Sequence, residues 1–152
     1  MSSNERKTIQ AFLESHSTLA LATIDADSHP QSAPLFYVSD DAFNLYWLSS
    51  SGSRHSVNLT ANSQVAATIY PTAWHWTEIR GLQIEGVASS ITDENMRRDI
   101  LERYQQKFDL PSGFETVMGE SVLYVLRPRW QRWLDNSVRF GYKSEYNLTH
   151  TK

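Results

Sequence analysis

The stretch AFNLYWLSSSGSRHSVNLTA at residues 42–61 is the most informative part of this sequence, because it joins two elements through a short polar loop. Apolar side chains alternate with other residues over 42–49, which predicts a strand with one face in a core. Hydroxyl residues and a glycine follow, and Ser53 is then placed to cap a helix over 54–61. The stretch therefore predicts a strand that delivers a polar loop to the start of a helix.

The start of this helix carries groups that suit an anion. Free backbone N–H groups point away from a helix start, and the helix dipole favours negative charge there. Arg54 can hold a phosphate through two N–H groups, and the hydroxyls of Ser49 and Ser53 can add donors. A capped polar turn with no ligand accounts for the same residues, so this segment alone does not separate structure from function.

Further strands follow one another in hairpin order on both sides of this stretch. Alternating or apolar runs predict strands from Thr18 to the turn at 25–28 and over 31–38, 65–70, 77–91, 121–127 and 129–135, the last two meeting at Pro128. Helical spacing predicts a helix over 4–16 and another from the cap at 92–94 to Phe108. Since strands do not alternate regularly with helices, the pattern favours a mainly β (α+β) antiparallel barrel with peripheral helices.

Composition excludes several classes of protein. The 152 residues fit a single domain over 1–152, in which the polar stretch 143–152 is predicted to be a loose tail. The chain has no cysteine, which removes disulfides, thiolate nucleophiles, zinc fingers and iron–sulfur clusters. Its net charge of −3 argues against a nucleic-acid partner. The five histidines are too far apart in the sequence to suggest a local site, so no metal is predicted.

No part of the sequence looks like a targeting signal or a membrane anchor. The first residues are polar, and no run approaches the roughly 20 apolar residues that span a bilayer. The signatures of P-loop, Gly-x-Ser-x-Gly and His-Glu-x-x-His enzymes are also absent. A cytoplasmic protein with no membrane partner is therefore the expectation.

The order of the segments resembles the FMN-binding split-barrel superfamily, the pyridoxamine 5′-phosphate oxidase-like proteins. The resemblance is carried by residues 31–37, by 45–49 followed by 52–55, by 65–70 and by 79–86. It implies a six-stranded antiparallel split β-barrel that forms a homodimer, with two FMN molecules at the interface between the copies.

The resemblance also implies a set of flavin contacts in this chain. The matching positions are Ser32, Ala33, Pro34, Leu35, Phe36 and Tyr37 for the ring edge, Leu48 and Ser49 at the strand end, Ser53, Arg54 and His55 for the phosphate, and Arg80 or Gln83 across the groove. The family often has lysine where this chain has His55, and a neutral histidine is a weaker phosphate partner. Arg139-Phe140-Gly141 replaces the family's Arg-x-His substrate signature. Oxidation of pyridoxamine phosphate is therefore not expected.

Several functions stay open within this resemblance. The first is an FMN-dependent oxidoreductase that uses a small substrate or a nicotinamide donor, in which the flavin supplies the chemistry and no catalytic side chain is assigned. Relatives with this fold bind the deazaflavin F420 or haem instead, and His16, His29 and His150 are the candidate haem ligands. A non-catalytic module that holds or senses flavin is the remaining alternative.

The 18 aromatic residues, from 5 Trp, 7 Tyr and 6 Phe, predict two interfaces as well as a core. Four of them are expected to flank the flavin groove: Phe36, Tyr37, Tyr46 and Trp47. Trp130 and Trp133 are expected in the core or against the second copy of the chain. The candidates for stacking on the flavin ring or a substrate are Trp74, His75, Trp76 and Tyr142, for which hydrophobic cover is the alternative.

Overall fold

The computed structural model describes residues 1–148, which form one antiparallel sheet with helices around it. The helices are α1 (Ser3–Ser15), α2 (Arg54–Ala61), α3 (Glu94–Lys107) and α4 (Phe114–Glu120). The strands are β1 (Thr18–Ile24), β2 (Pro30–Phe36), β3 (Val38–Ser39), β4 (Leu45–Ser49), β5 (Gln64–Ile69), β6 (Arg80–Ser90), β7 (Val122–Asp135) and β8 (Lys143–Asn147). The predicted mainly β, α+β class is confirmed, with eight strands in place of six among the described residues.

The sheet curls into a half-barrel because the strands at its two edges, β2 and β3, are consecutive in the chain. The strand order is β2-β1-β5-β6-β7-β4-β3, and β8 adds to the second half of β7. Tyr37 alone separates β2 at one edge from β3 at the other edge. A single residue cannot span an open sheet, so the two edges must lie close together at Tyr37. This closure is the split-barrel arrangement.

Pro128 does not end a strand, contrary to the prediction of two strands that meet there. β7 continues through it, and the register with β6 shifts between Glu85 and Gly86. Glu85 faces Trp130 while Gly86 faces Pro128, which leaves one extra residue on β7. Proline is tolerated at such a β-bulge, because a ladder hydrogen bond is already missing there. The bulge lets one long strand pair with β4 at its start and β8 at its end.

Side chains are buried on both faces of β4. The main core lies inside the curl beneath α1 and contains Leu45 and Trp47. A second core forms where α3 and α4 cover the other face, and it contains Tyr46 together with Ile100 and Met118. β4 is therefore an interior strand on both sides, although its sequence predicts one face only.

The polar end of the chain begins with a strand and not with a loose tail. β8 pairs with β7 over residues 143–147, and the Ser144 hydroxyl donates to the Glu5 carboxylate of α1. This hydrogen bond is the main reason that the pKa of Glu5 lies below its usual range. The candidate haem ligand His150 lies outside the described residues. Within the described part of the chain, no helix is long and apolar enough to span a membrane.

Candidate functional site

The hydroxyl of Tyr104 in α3 joins the edge strand β2 to β4, the neighbour of the other edge strand. Its oxygen lies 2.9 Å from the carbonyl oxygen of Phe36, on β2, and 3.2 Å from that of Tyr46, on β4. The single O–H proton can serve either acceptor, so α3 holds β2 and β4 from one point. Burial raises the pKa of Tyr104, and the phenol therefore stays protonated as this contact requires.

A cleft of about 530 Å³ opens beside this junction, within the size range of small-molecule sites. It is lined by Pro34, Leu35, Phe36, Leu48, Tyr104, Phe108, Asp109, Leu110, Pro111 and Phe114. The rings of Phe36 and Phe108 lie 5.0 Å apart, and those of Tyr104 and Phe108 lie 5.4 Å apart. Among the described lining residues, Asp109 carries the one charge. The cleft is therefore suited to a flat, largely apolar group.

A hydroxyl–imidazole cluster follows directly where β4 ends, and it consists of Ser49, Ser53, His55 and Ser56. The His55 Nε2 atom lies 2.7 Å from the Ser49 oxygen and 3.0 Å from the Ser53 oxygen. The two serine oxygens are 3.0 Å apart, and Ser53 also donates to Ser56 at 2.8 Å. Ser53 occupies the predicted cap position of α2, but its hydroxyl bonds within this cluster instead of capping the helix.

The imidazole of His55 is buried, with 8% of its residue surface exposed. Burial lowers the pKa of His55 from its ordinary value near 6.5, so the ring is neutral at pH 7. A neutral imidazole has one N–H donor and one acceptor nitrogen. Without a bound ligand, His55 is therefore uncharged at neutral pH, and its Nε2 atom contacts only Ser49 and Ser53 among the described residues.

Arg54 is the exposed cation of this region, with 63% of its side-chain surface open to solvent. Its Nη2 atom lies 3.5 Å from the Asp25 carboxylate in the turn between β1 and β2. Asp25 is already engaged by the backbone N–H groups of His29, at 2.8 Å, and Asp27, at 3.0 Å. The His29 contact is the largest cause of the lowered pKa of Asp25. Arg54 is thus oriented by a weak surface ion pair and can turn toward an anion.

Asp25, Asp27 and His29 bring their ligating atoms within 4.8 Å of one another. The turn explains this proximity, since Asp25 accepts the N–H groups of both neighbours. Exposed acidic turns of this kind are common without an ion, and we assign no metal to it.

Asn58 holds α2 against the sheet, and the sequence analysis did not identify it. Its Nδ2 atom donates to the Thr23 hydroxyl at 3.0 Å and to the Gln31 side-chain oxygen at 3.1 Å. Asn58 follows Arg54 by four residues and is buried, so one helical turn links the exposed cation to β1 and β2. The signal for Asn58 in the sequence was a polar residue one helical turn after Arg54.

The sequence analysis also missed the cleft-lining residues from Phe108 to Phe114, because they lie far in the chain from residues 42–61.

The predicted ring-edge residues divide between two faces of β2. Ser32, Pro34 and Phe36 are exposed, while Ala33 and Leu35 are half-buried. Tyr37 is fully buried, and its hydroxyl donates to the Leu13 carbonyl at 2.8 Å.

Of the four aromatic residues expected to flank the groove, only Phe36 is open to solvent. Tyr37, Tyr46 and Trp47 belong to the two cores. The reason is that β4 is covered on both faces and that Tyr37 lies at the closure of the barrel. These three side chains therefore shape the site from beneath without facing a ligand.

The structure does not bring Arg80 to the other predicted residues. Arg80 is on the face of β6 that carries Leu82 and Ile84, whereas Gln83 is on the opposite face. Gln83 shares a cross-strand row with Pro34, through Thr68 and Ala20. Three strand spacings put them about 14 Å apart. The Gln83 side-chain oxygen accepts a hydrogen bond from Arg132 at 3.1 Å.

The remaining aromatic candidates occupy different environments. Trp133 is a core residue, with its ring 4.9 Å from that of Phe12. Trp130 is half-buried and lies 5.1 Å from the Arg132 guanidinium. Trp76 packs edge-on against Phe140 at 5.6 Å. Trp74 and His75 are also exposed, whereas Tyr142 packs partly against the main core.

Comparison with known proteins shows which family and which solved structures this chain resembles. The family model described as pyridoxamine 5′-phosphate oxidase matches residues 6–135. A conserved hypothetical protein from Mycobacterium tuberculosis has a TM-score of 0.76 at 22% identity, covering 95% of this chain and 91% of that chain. The heme storage protein HutZ from Vibrio cholerae has a TM-score of 0.69 at 23% identity, with coverages of 80% and 88%.

A third structure, of a candidate pyridoxamine 5′-phosphate oxidase from Listeria innocua, has a TM-score of 0.68 at 23% identity. It covers 86% of this chain and 98% of that chain. At these identities the structural likenesses show a shared fold. No curated protein matches the chain by sequence.

Proposed function

Since the chain belongs to the pyridoxamine 5′-phosphate oxidase family, we propose that it binds FMN, with the ring in the cleft and the phosphate at the start of α2. One observation carries the proposal. Leu48 lines the apolar cleft, and the next residue, Ser49, belongs to the hydroxyl–imidazole cluster. The end of β4 thus lies between a slot for a flat ring and a set of hydroxyl groups that can serve an anion, which are on opposite faces of the strand. Flavin is a common ligand of this family.

The described residues fit the parts of FMN. Aromatic and aliphatic side chains line the cleft and exclude water from a bound ring. The first N–H groups of α2 have no partner within the helix, and Arg54 has an exposed guanidinium beside them. The cleft therefore suits the isoalloxazine ring, and the helix start suits the phosphate.

We further propose that the protein is an FMN-dependent oxidoreductase. A bound flavin supplies the redox chemistry, while the chain binds and orients it. The ionisable groups described in the cleft lining are Tyr104 and Asp109. Tyr104 is committed to the carbonyl groups of Phe36 on β2 and Tyr46 on β4, so we assign no catalytic side chain. Because Arg139-Phe140-Gly141 replaces the family's substrate signature, pyridoxamine phosphate is not the proposed substrate.

The proposal includes a homodimer. On β1 and β5, the face that alternates with the core residues carries only small side chains in its middle: Ala20, Ala22, Ala66 and Thr68. A face without large side chains lets a second sheet approach closely. Sedimentation equilibrium of the purified chain is expected to give the mass of two copies, and the mass of one copy would contradict the dimer.

Replacing Arg54 with alanine is expected to weaken FMN binding by roughly 10-fold to 100-fold, since hydrogen bonds to charged groups contribute about 1.5–3 kcal/mol. Quenching of FMN fluorescence measures the affinity. Arg98→Ala is the matched control, because Arg98 is also exposed and bonds only to Asn95 within α3 among the described residues. Equal affinities of the two variants would show that the phosphate is held elsewhere.

The visible spectrum of the purified protein tests the cofactor itself. Flavin absorption that leaves with FMN on denaturation supports the proposal, whereas protein that takes up no added FMN contradicts it.

Haem is the second candidate, favoured by the likeness to the Vibrio cholerae protein described as a heme storage protein. A Soret band that is lost on replacing His16, which is half-buried, or His29, which is exposed, would support haem binding. Bound flavin that neither NADH nor NADPH reduces would indicate a non-catalytic module.

A further inference from the structure

We propose that His55 is a positioning residue that turns Ser49 toward a phosphoryl group, so that binding at the start of α2 takes up one proton. The inference rests on the proposed function and extends it to the protonation of the site. Its basis is the position of His55 Nε2, which lies 2.7 Å from Ser49 Oγ and 3.0 Å from Ser53 Oγ. Each serine hydroxyl has one proton, so the imidazole decides where that of Ser49 points.

We assign the Nδ1–H tautomer to the neutral ring, in which the proton of Ser49 is directed inward when no ligand is bound. When Nε2 of the neutral ring is the acceptor, Ser49 donates to it across the shortest contact in the cluster. Ser53 has other acceptors in the carbonyl oxygen of Ser50, at 2.9 Å, and the hydroxyl of Ser56, at 2.8 Å. Ser49 then presents only lone pairs to its other neighbours. Lone pairs repel a phosphate, whose oxygens require donors.

Protonation of the imidazole reverses this arrangement. A proton from solvent adds to Nε2, and the new N–H donates to Ser49 Oγ along the same 2.7 Å contact. The Ser49 proton is thereby released to donate to a phosphoryl oxygen. The imidazolium also places one positive charge beside the helix start. No bond other than N–H forms, and the proton that is gained comes from water.

The charged side chains near the hydroxyl–imidazole cluster do not bond to His55, so we assign the proton uptake to His55 itself. The strand and loop at residues 45–53 contain no charged side chain. Next to His55 on α2, Arg54 is paired with Asp25 in the β1–β2 turn, and Asp25 in turn contacts His29. None of these three described groups contacts the imidazole. Burial keeps the ring neutral at pH 7, so the binding of a phosphoryl ligand is coupled to the uptake of a proton from solvent.

The test compares FMN binding by the wild type and by His55→Gln from about pH 5.5 to about pH 8.5, across the range in which histidine titrates. The glutamine amide can donate to Ser49 but does not titrate. The second ionisation of the FMN phosphate, near about pH 6, affects both proteins equally and cancels in their ratio. We expect the wild-type Kd, relative to that of the variant, to rise by up to about tenfold per pH unit above the pKa of His55.

Calorimetry in two buffers of different ionisation enthalpy counts the protons directly. The wild type is expected to take up as much as about one proton more per FMN than His55→Gln at about pH 7.5. Ser49→Ala is a second variant that keeps the histidine, and it is expected to reduce the pH-dependent difference to the part that the imidazolium charge alone produces.

Wild type and His55→Gln with parallel pH profiles and equal proton counts, while both bind FMN, would overturn this inference and leave the proposed function standing. Failure of every variant and of the wild type to bind FMN at any pH would remove both.

Discussion

Replacing Trp47 with alanine is expected to lower the free energy of unfolding by about 4 kcal/mol, as for other buried tryptophans cut back to alanine. Trp47 is fully buried in the main core, and its ring stacks on that of Tyr124 at 5.6 Å. Removal leaves a cavity inside a curled sheet whose strands are hydrogen-bonded on both sides of β4, so little collapse can fill it. Urea denaturation measures the loss.

Two further variants separate packing from other roles of tryptophan. The indole N–H of Trp47 is buried and has no hydrogen-bond partner among residues 1–148, so Trp47→Phe loses no bond there and is expected to cost less than Trp47→Ala. Trp74→Ala removes a side chain that is 88% exposed and is expected to change stability by less than about 0.5 kcal/mol. A stable Trp47→Ala protein with weakened FMN binding would instead place Trp47 against the ligand.

Replacing Gly86 with alanine is expected to cost about 3 kcal/mol or to prevent folding, because the added methyl group has no space. A Cβ atom at Gly86 would lie 2.2 Å from the carbonyl oxygen of Arg127 and 3.0 Å from the Cα atom of Pro128. Both atoms belong to the backbone of β7, so no flexible side chain can move aside. The change acts at the bulge that lets β7 pass Pro128. Thermal denaturation followed by circular dichroism measures it.

Gly119→Ala is the matched control for Gly86→Ala. Gly119 lies in α4, and nothing lies within 4 Å of a Cβ atom built there. Alanine is favoured over glycine in a helix by up to about 1 kcal/mol, so this variant is expected to be as stable as the wild type or more stable. Equal destabilisation by the two substitutions would contradict the close approach of β6 and β7 at Gly86.

Local sequence was sufficient for the strand, loop and helix at 42–61. The helix was predicted over 54–61 and is found at Arg54–Ala61, because capping and helical spacing involve only neighbouring residues. The strand was predicted to begin at residue 42 and begins at Leu45, since Phe43 has a positive φ of 64° that ends the extended conformation. The side chain of Ser53 could not be predicted, because the His55 ring competes for it in three dimensions.

Which side chains line the cleft depends on long-range pairing. Alternation along β4 predicts two faces, but it does not say that α3 and α4 cover the second one and bury Tyr46. The cleft beside Phe36 likewise needs Phe108, which directly follows α3, and Phe114, which begins α4. These residues meet only because β2 and β4 close the half-barrel and Tyr104 joins their carbonyl groups.

Periodicity and capping thus sufficed to identify most of the elements and the antiparallel class, and to suggest an anion site at one helix start, since each depends on residues a few positions apart. Closure of the sheet decided the rest. It buried Tyr37 and Trp47 and placed the cleft beside the end of β4. Contacts between segments distant in the chain depend on strand order and register, and a pattern of neighbouring residues does not contain that information.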